Sequence, residues 1–220
     1  MIEVGAMRSS GPMPGNPWPQ DMVLTVEDGS NLLLDLLWIR EAWSLRPTGV
    51  DLPPLLSDGS VSAHARTESS DRVARWREAW PSMWRDGVRH AGELRDEAAL
   101  FGRLQDSADG SPARAELLAE SRGFSWRGEF GDEAFTDDYD RWQQARFEAA
   151  ARPNSRSLDE EPERVSLAAV IPAWRAGLGK IVIIPCTGSY TRMIGRHALL
   201  ATGETREDPR RYSEALGQFR

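Results

Sequence analysis

A chain of 220 residues with a formal net charge of −7 is long enough to bury a real core, and its acidic balance argues against nucleic acid or an anionic membrane as partner. Its single cysteine cannot close an internal disulfide, and no run reaches the roughly 18 apolar residues of a membrane span. The opening MIEVGAMRSSGPMPGNPWPQ lacks the basic and then apolar segments of a signal peptide, so the expectation is a soluble cytoplasmic protein.

Residues 1–20 are rich in Pro, Gly and Ser and carry no period, which predicts an extended arm. Trp18 in that arm reads as a docking residue for a partner. MVLTV is a β-prone run and EDGSN a turn after it. LLLDLLWIREAW is apolar on most faces and predicts a central buried helix, with Ser30 or Asn31 as N-cap. Pro47, Pro53 and Pro54 then open a loop to about Ser70.

The clearest period lies in Val73, Trp76, Trp80, Trp84 and Val88, joined by Met83 and Ala91. Steps of three and four with arginines between them predict an amphipathic helix whose aromatic face is core. Pro81 predicts a kink or a break in it. Leu94, Ala98, Phe101 and Leu104 form a further stripe. Leu117 and Leu118 mark a short helix with Pro112 in its first turn, and Phe135, Tyr139, Trp142 and Ala149 a longer one. Residues 152–164 read as a polar linker within one domain, 21–220. KIVII and HALLAT are strand-like, and DPRRYSEALGQF is a terminal helix with Asp208 as N-cap.

The sheet is expected to gather three or four strands, among them Val23–Val26, Ile181–Ile184 and Ala198–Thr202. The chain is thus expected to be α+β, mostly helical, with a small sheet formed from N-terminal and C-terminal strands.

Cys186-Thr187-Gly188-Ser189-Tyr190-Thr191-Arg192 follows the strand KIVII. This spacing resembles the phosphate loop of low-molecular-weight tyrosine phosphatases and the related arsenate reductases, which runs Cys-x-Gly-Asn-x-x-Arg; Ser189 stands where that pattern has Asn. The resemblance implies an anion cradle at Thr187, Gly188, Ser189 and Arg192, a thiolate nucleophile at Cys186 and a general acid at Asp208. The residues themselves also read as a turn: Pro185 ends a strand, Gly188 and Ser189 bend the chain, and Gly195 precedes another strand-like run where a phosphate loop has a helix. On that reading Cys186 is an ordinary buried thiol.

The acids Asp132, Glu133, Asp137, Asp138 and Asp140 could serve a hard cation, but acids before and in a first helical turn follow from the helix dipole alone. His64, His90 and His197 lack paired-ligand spacing, and no nucleophile elbow or nucleotide-binding glycine motif occurs. The expected function is therefore a non-catalytic protein-binding or adaptor domain, with another protein as partner, no nucleic acid, no membrane, no metal and no cofactor. The alternative is a small enzyme or anion-binding protein centred on Cys186 and Arg192.

Overall fold

A mixed sheet of five strands, in the order β1-β2-β3-β5-β4, divides the molecule into two apolar layers. The structure, a computed structural model, describes residues 4–7, 17–57, 70–94, 97–122, 125–152 and 156–219. Its strands are β1 (Val4–Met7), β2 (Leu24–Asp28), β3 (Lys180–Ile184), β4 (Thr191–Ile194) and β5 (Ala198–Thr202). β2, β3 and β5 run parallel, and β1 and β4 close the two edges antiparallel to their neighbours. The α+β class and the union of N-terminal and C-terminal strands in one small sheet are as expected from sequence. The sheet is wider than expected, because Val4–Met7 and Thr191–Ile194 add the two edges.

β3 and β5 are buried on both faces, which is why each reads as an unbroken apolar run. Alternation distributes their side chains. Val182, Ile184, Ala198 and Leu200 face one layer, with α1 (Asn31–Ala42), α2 (Ser70–Ala91), α5 (Trp126–Phe130) and α6 (Asp137–Ala150). Ile181, Ile183, Leu199 and Ala201 face the other, with α8 (Leu167–Arg175) and α10 (Pro209–Leu216).

The tryptophan stripe is core. Trp76, Trp80 and Trp84 are buried; Trp80 and Trp84 stack at 5.4 Å, and the Trp80 indole N–H donates to the Leu36 carbonyl of α1 at 2.8 Å. α2 runs through Pro81 without a break. Asp208 caps α10 as expected, accepting from the N–H groups of Arg210 and Arg211, both at 3.0 Å. Ser30 holds the N-cap position of α1 without a side-chain bond.

Several expectations need correction. Trp18 is no exposed docking residue: it is 4% exposed, packs with Met22 and Leu24, and donates its indole N–H to the Met22 carbonyl at 2.9 Å. A large apolar ring gains more from that layer than from solvent, even when Pro and Gly surround it in sequence. The stripe at 94–104 falls largely on a helix, α3 (Glu97–Asp106), which packs against α4 (Pro112–Arg122) and leaves Phe101 61% exposed. The polar stretch 152–164 carries a 3₁₀ turn, Leu158–Glu160, and α7 (Pro162–Val165), whose Pro162 and Glu163 are buried. His64 lies outside the described residues.

Candidate functional site

The strand order decides what happens after β3. β5 lies between β3 and β4, so the chain leaving Ile184 must cross the carboxyl end of β5 before β4 can begin. Cys186–Tyr190 makes that crossing, with Gly188 at φ 72, a conformation glycine adopts without strain. The hairpin β4–β5 then returns the chain, with Gly195 at φ 60 in its turn. The stretch PCTGSYTR is therefore a crossing into β4, and β5 follows one hairpin later.

The loop is held by internal bonds. Thr187 N–H donates to the Leu55 carbonyl at 2.8 Å and Ser57 N–H to the Pro185 carbonyl at 2.9 Å, so residues 55–57 run beside Pro185–Thr187 as a short antiparallel pair. Buried Arg40 fixes that segment, donating to the carbonyls of Pro53 at 2.7 Å and Pro54 at 2.5 Å. Gly188 N–H donates to Glu204 Oε1 at 2.8 Å, and Tyr190 N–H reaches Thr205 Oγ1 at 3.1 Å. Thr202 Oγ1 donates to the Gly188 carbonyl at 2.7 Å, and Ser189 Oγ lies 3.2 Å from Thr205 Oγ1.

An oxyanion nest needs such N–H groups to converge on one empty point. Here those of Thr187, Gly188 and Tyr190 go to three separate acceptors, one of them a carboxylate. Arg192 is an edge-strand residue opposite Leu200, and Asp208 is spent on the cap of α10. Cys186 is 3% exposed, and burial pushes its thiol up to about 12 against the guanidinium groups of Arg40 and Arg146.

Beside this loop, at the carboxyl ends of β2, β3 and β5, lies a cleft of about 580 Å³. That edge is where open sheets with parallel strands bind ligands, because the strand-to-loop junctions diverge there. The strand side contributes Asp28, Ile184, Pro185, Cys186, Gly203 and Glu204. The other wall is α6, through Trp142, Ala145, Arg146, Ala149 and Ala150. The Arg146 guanidinium sits over the Trp142 ring at 5.2 Å. Trp142 is buried, and its indole N–H has no hydrogen-bond partner among the described residues. Arg192 and Asp208 are not among the described residues that line the cleft.

Glu204 belongs to α9 (Gly203–Glu207), a short helix anchored from behind. Arg206 grips both oxygens of Glu163, at 2.8 and 2.7 Å, and Glu207 takes both Arg156 Nη atoms, at 3.0 and 2.8 Å. Tyr212 O–H donates to Glu163 Oε1 at 2.8 Å. These contacts, with buried Thr205, fix the backbone from which Glu204 reaches the cleft.

Asp35 also escaped sequence reading, although a lone acid inside LLLDLLW is a visible anomaly. It accepts from the Tyr139 O–H, which in turn accepts from Gln143 Nε2. Burial pushes the Asp35 carboxyl up to about 6, despite the Tyr139 bond and the Arg127 charge. The acids at 132–140 pair locally, Asp132 with Arg127 and Asp138 with Arg141. Among the described residues no group of three or more His, Cys, Asp or Glu side chains is arranged to hold a metal ion. No described helix is long and apolar enough to cross a membrane.

The chain has no significant match among models of known protein families, curated proteins or solved structures.

Proposed function

We propose that this chain is a non-catalytic binding protein of the cytoplasm, and that the cleft at the carboxyl edge of β2, β3 and β5 holds what it binds. The observation that carries this reading is the cleft itself. It is about 580 Å³, within the range of small-ligand sites, and its walls mix apolar side chains with a few charges. Its thiol, on Cys186, is held protonated by burial, which supports binding over covalent chemistry. The occupant is a small polar molecule or a segment presented by a partner protein.

Ala149 is exposed and lines the cleft, so Ala149→Trp fills the space without touching the core. A thermal-shift screen of small metabolites and short peptides against both proteins is the test. Ligands at about a hundred times their Kd stabilise the folded state by roughly 2.7 kcal/mol. Compounds that raise the Tm of the parent and leave that of Ala149→Trp unmoved support the reading. Compounds that shift both equally place binding elsewhere and end it.

A further inference from the structure

We propose that the cleft takes an uncharged amide: a small molecule with an apolar body and an amide group that both donates and accepts a hydrogen bond. This rests on the cleft being the binding site. The three charged side chains that border it are already engaged within the chain. The Asp28 carboxylate faces the Arg206 guanidinium, the Arg146 guanidinium lies over the Trp142 ring at 5.2 Å, and one oxygen of Glu204 accepts from the Gly188 N–H at 2.8 Å. An ionised ligand would give up its hydration and meet charges that already have counterparts.

Two groups, one on each wall, retain hydrogen-bonding capacity. On α6, Trp142 is 6% exposed, and its indole N–H has no partner among the described residues. Buried N–H groups in folded proteins are almost always bonded, so this one is short of an acceptor. On the strand side, Glu204 uses one oxygen on Gly188, and a carboxylate accepts further donors at the other. Its position is fixed, because α9 is clamped through Arg206 and Glu207. A ligand carbonyl that accepts from the Trp142 N–H, with an adjoining N–H that donates to Glu204, satisfies both walls and carries no charge. Ile183, Pro185 and Ala145 offer apolar surface to the rest of the molecule, and about 580 Å³ leaves room for it.

The experiment is calorimetric titration of the full chain with hexanamide and hydrocinnamamide, each compared with the carboxylate, the ammonium and the methyl ester that share its apolar body. At least one amide should bind. Its methyl ester keeps the carbonyl but lacks the N–H, and should bind about tenfold more weakly, as expected for loss of one hydrogen bond to a charged group. The carboxylate and the ammonium should bind more weakly than the amide. Trp142→Phe removes the indole N–H and keeps an apolar ring, so it should weaken amide and ester alike. Glu204→Gln should weaken the amide and leave its ester unchanged. Glu204 is exposed, and a glutamine can still accept from the Gly188 N–H, so that variant should fold; the Tm checks both. A carboxylate or an ammonium that binds as tightly as the amide would overturn the proposal while leaving the cleft as a binding site. So would an ester as tight as its amide, or an amide that neither variant weakens. No heat from any of the compounds also overturns it, and the Ala149→Trp comparison then decides the broader reading independently.

Discussion

The Arg206 guanidinium holds both carboxylate oxygens of Glu163, at 2.8 and 2.7 Å, where no part of Glu163 reaches solvent. Removing one partner of a buried pair leaves the other charge uncompensated, at a cost of roughly 3–5 kcal/mol. Glu163→Gln should therefore lower stability by about 3 kcal/mol in urea unfolding. Glu163→Gln combined with Arg206→Met should recover part of that loss, because the stranded charge is gone. Two single variants as stable as the parent would mean that the pair contributes nothing.

Asp35 gives the protein a pH dependence with a definite sign. Its carboxyl titrates at about 6 in the folded state, against about 3.9 in an unfolded chain. Between those values the folded state binds more protons. This contribution is fully present below about pH 4 and is lost as pH rises through about 6, by at most about 3 kcal/mol. Asp35→Asn should be more stable than the parent at pH 7, and the gap should close toward pH 4. The difference between their urea midpoints at several pH values isolates this group from the others that titrate. A constant gap across that range would show that Asp35 is not perturbed.

Cys186 should behave as an inert thiol. With its ionisation pushed up to about 12 by burial, alkylation by iodoacetamide at pH 8 should be slow until urea unfolds the chain. Cys186→Ser should keep the fold, and the purified protein should not turn over an aryl phosphate. Rapid alkylation at pH 7, with phosphate release abolished in Cys186→Ser, is the result that would restore the phosphatase-like alternative.

Trp18 and Trp80 should cost similar amounts when truncated, although one comes from a Pro-rich segment and the other from a long helix. Both are buried and both donate an indole N–H to a backbone carbonyl. Each substitution to Ala should lower stability by roughly 3–5 kcal/mol. A Trp18→Ala variant indistinguishable from the parent in urea would make the arm dispensable to the fold.

What could be read from the sequence was whatever depends on local period. β3 and β5 stood out as unbroken apolar runs, α2 as a stripe at steps of three and four, and the start of α10 as Asp-Pro. What could not be read depends on contacts far along the chain. Thr191–Ile194 is too short to show alternation, and it becomes a strand only because β5 offers it an edge. Glu163 sits in a stretch that is polar throughout, and its burial depends on a guanidinium 43 residues later. The cleft has no motif at all: Asp28, Arg146 and Glu204 come from three separate regions and meet through the strand order.

The parallel pairing of β2 with β3 joins residues 24–28 to residues 180–184 across the whole helical middle of the chain. Until the later strands have been synthesised, β2 has only β1 beside it, and a lone two-stranded pair is marginal in water. The contacts of α1 with α2, and of α3 with α4, need far shorter loops to close. The α1–α2 and α3–α4 contacts can therefore close before β3 and β5 are made, whereas α10, which covers one face of those strands, follows them in the chain. A chain stalled before residue 180 would hold Leu24 and Val26 without their parallel partner, a state open to capture by chaperones or to aggregation.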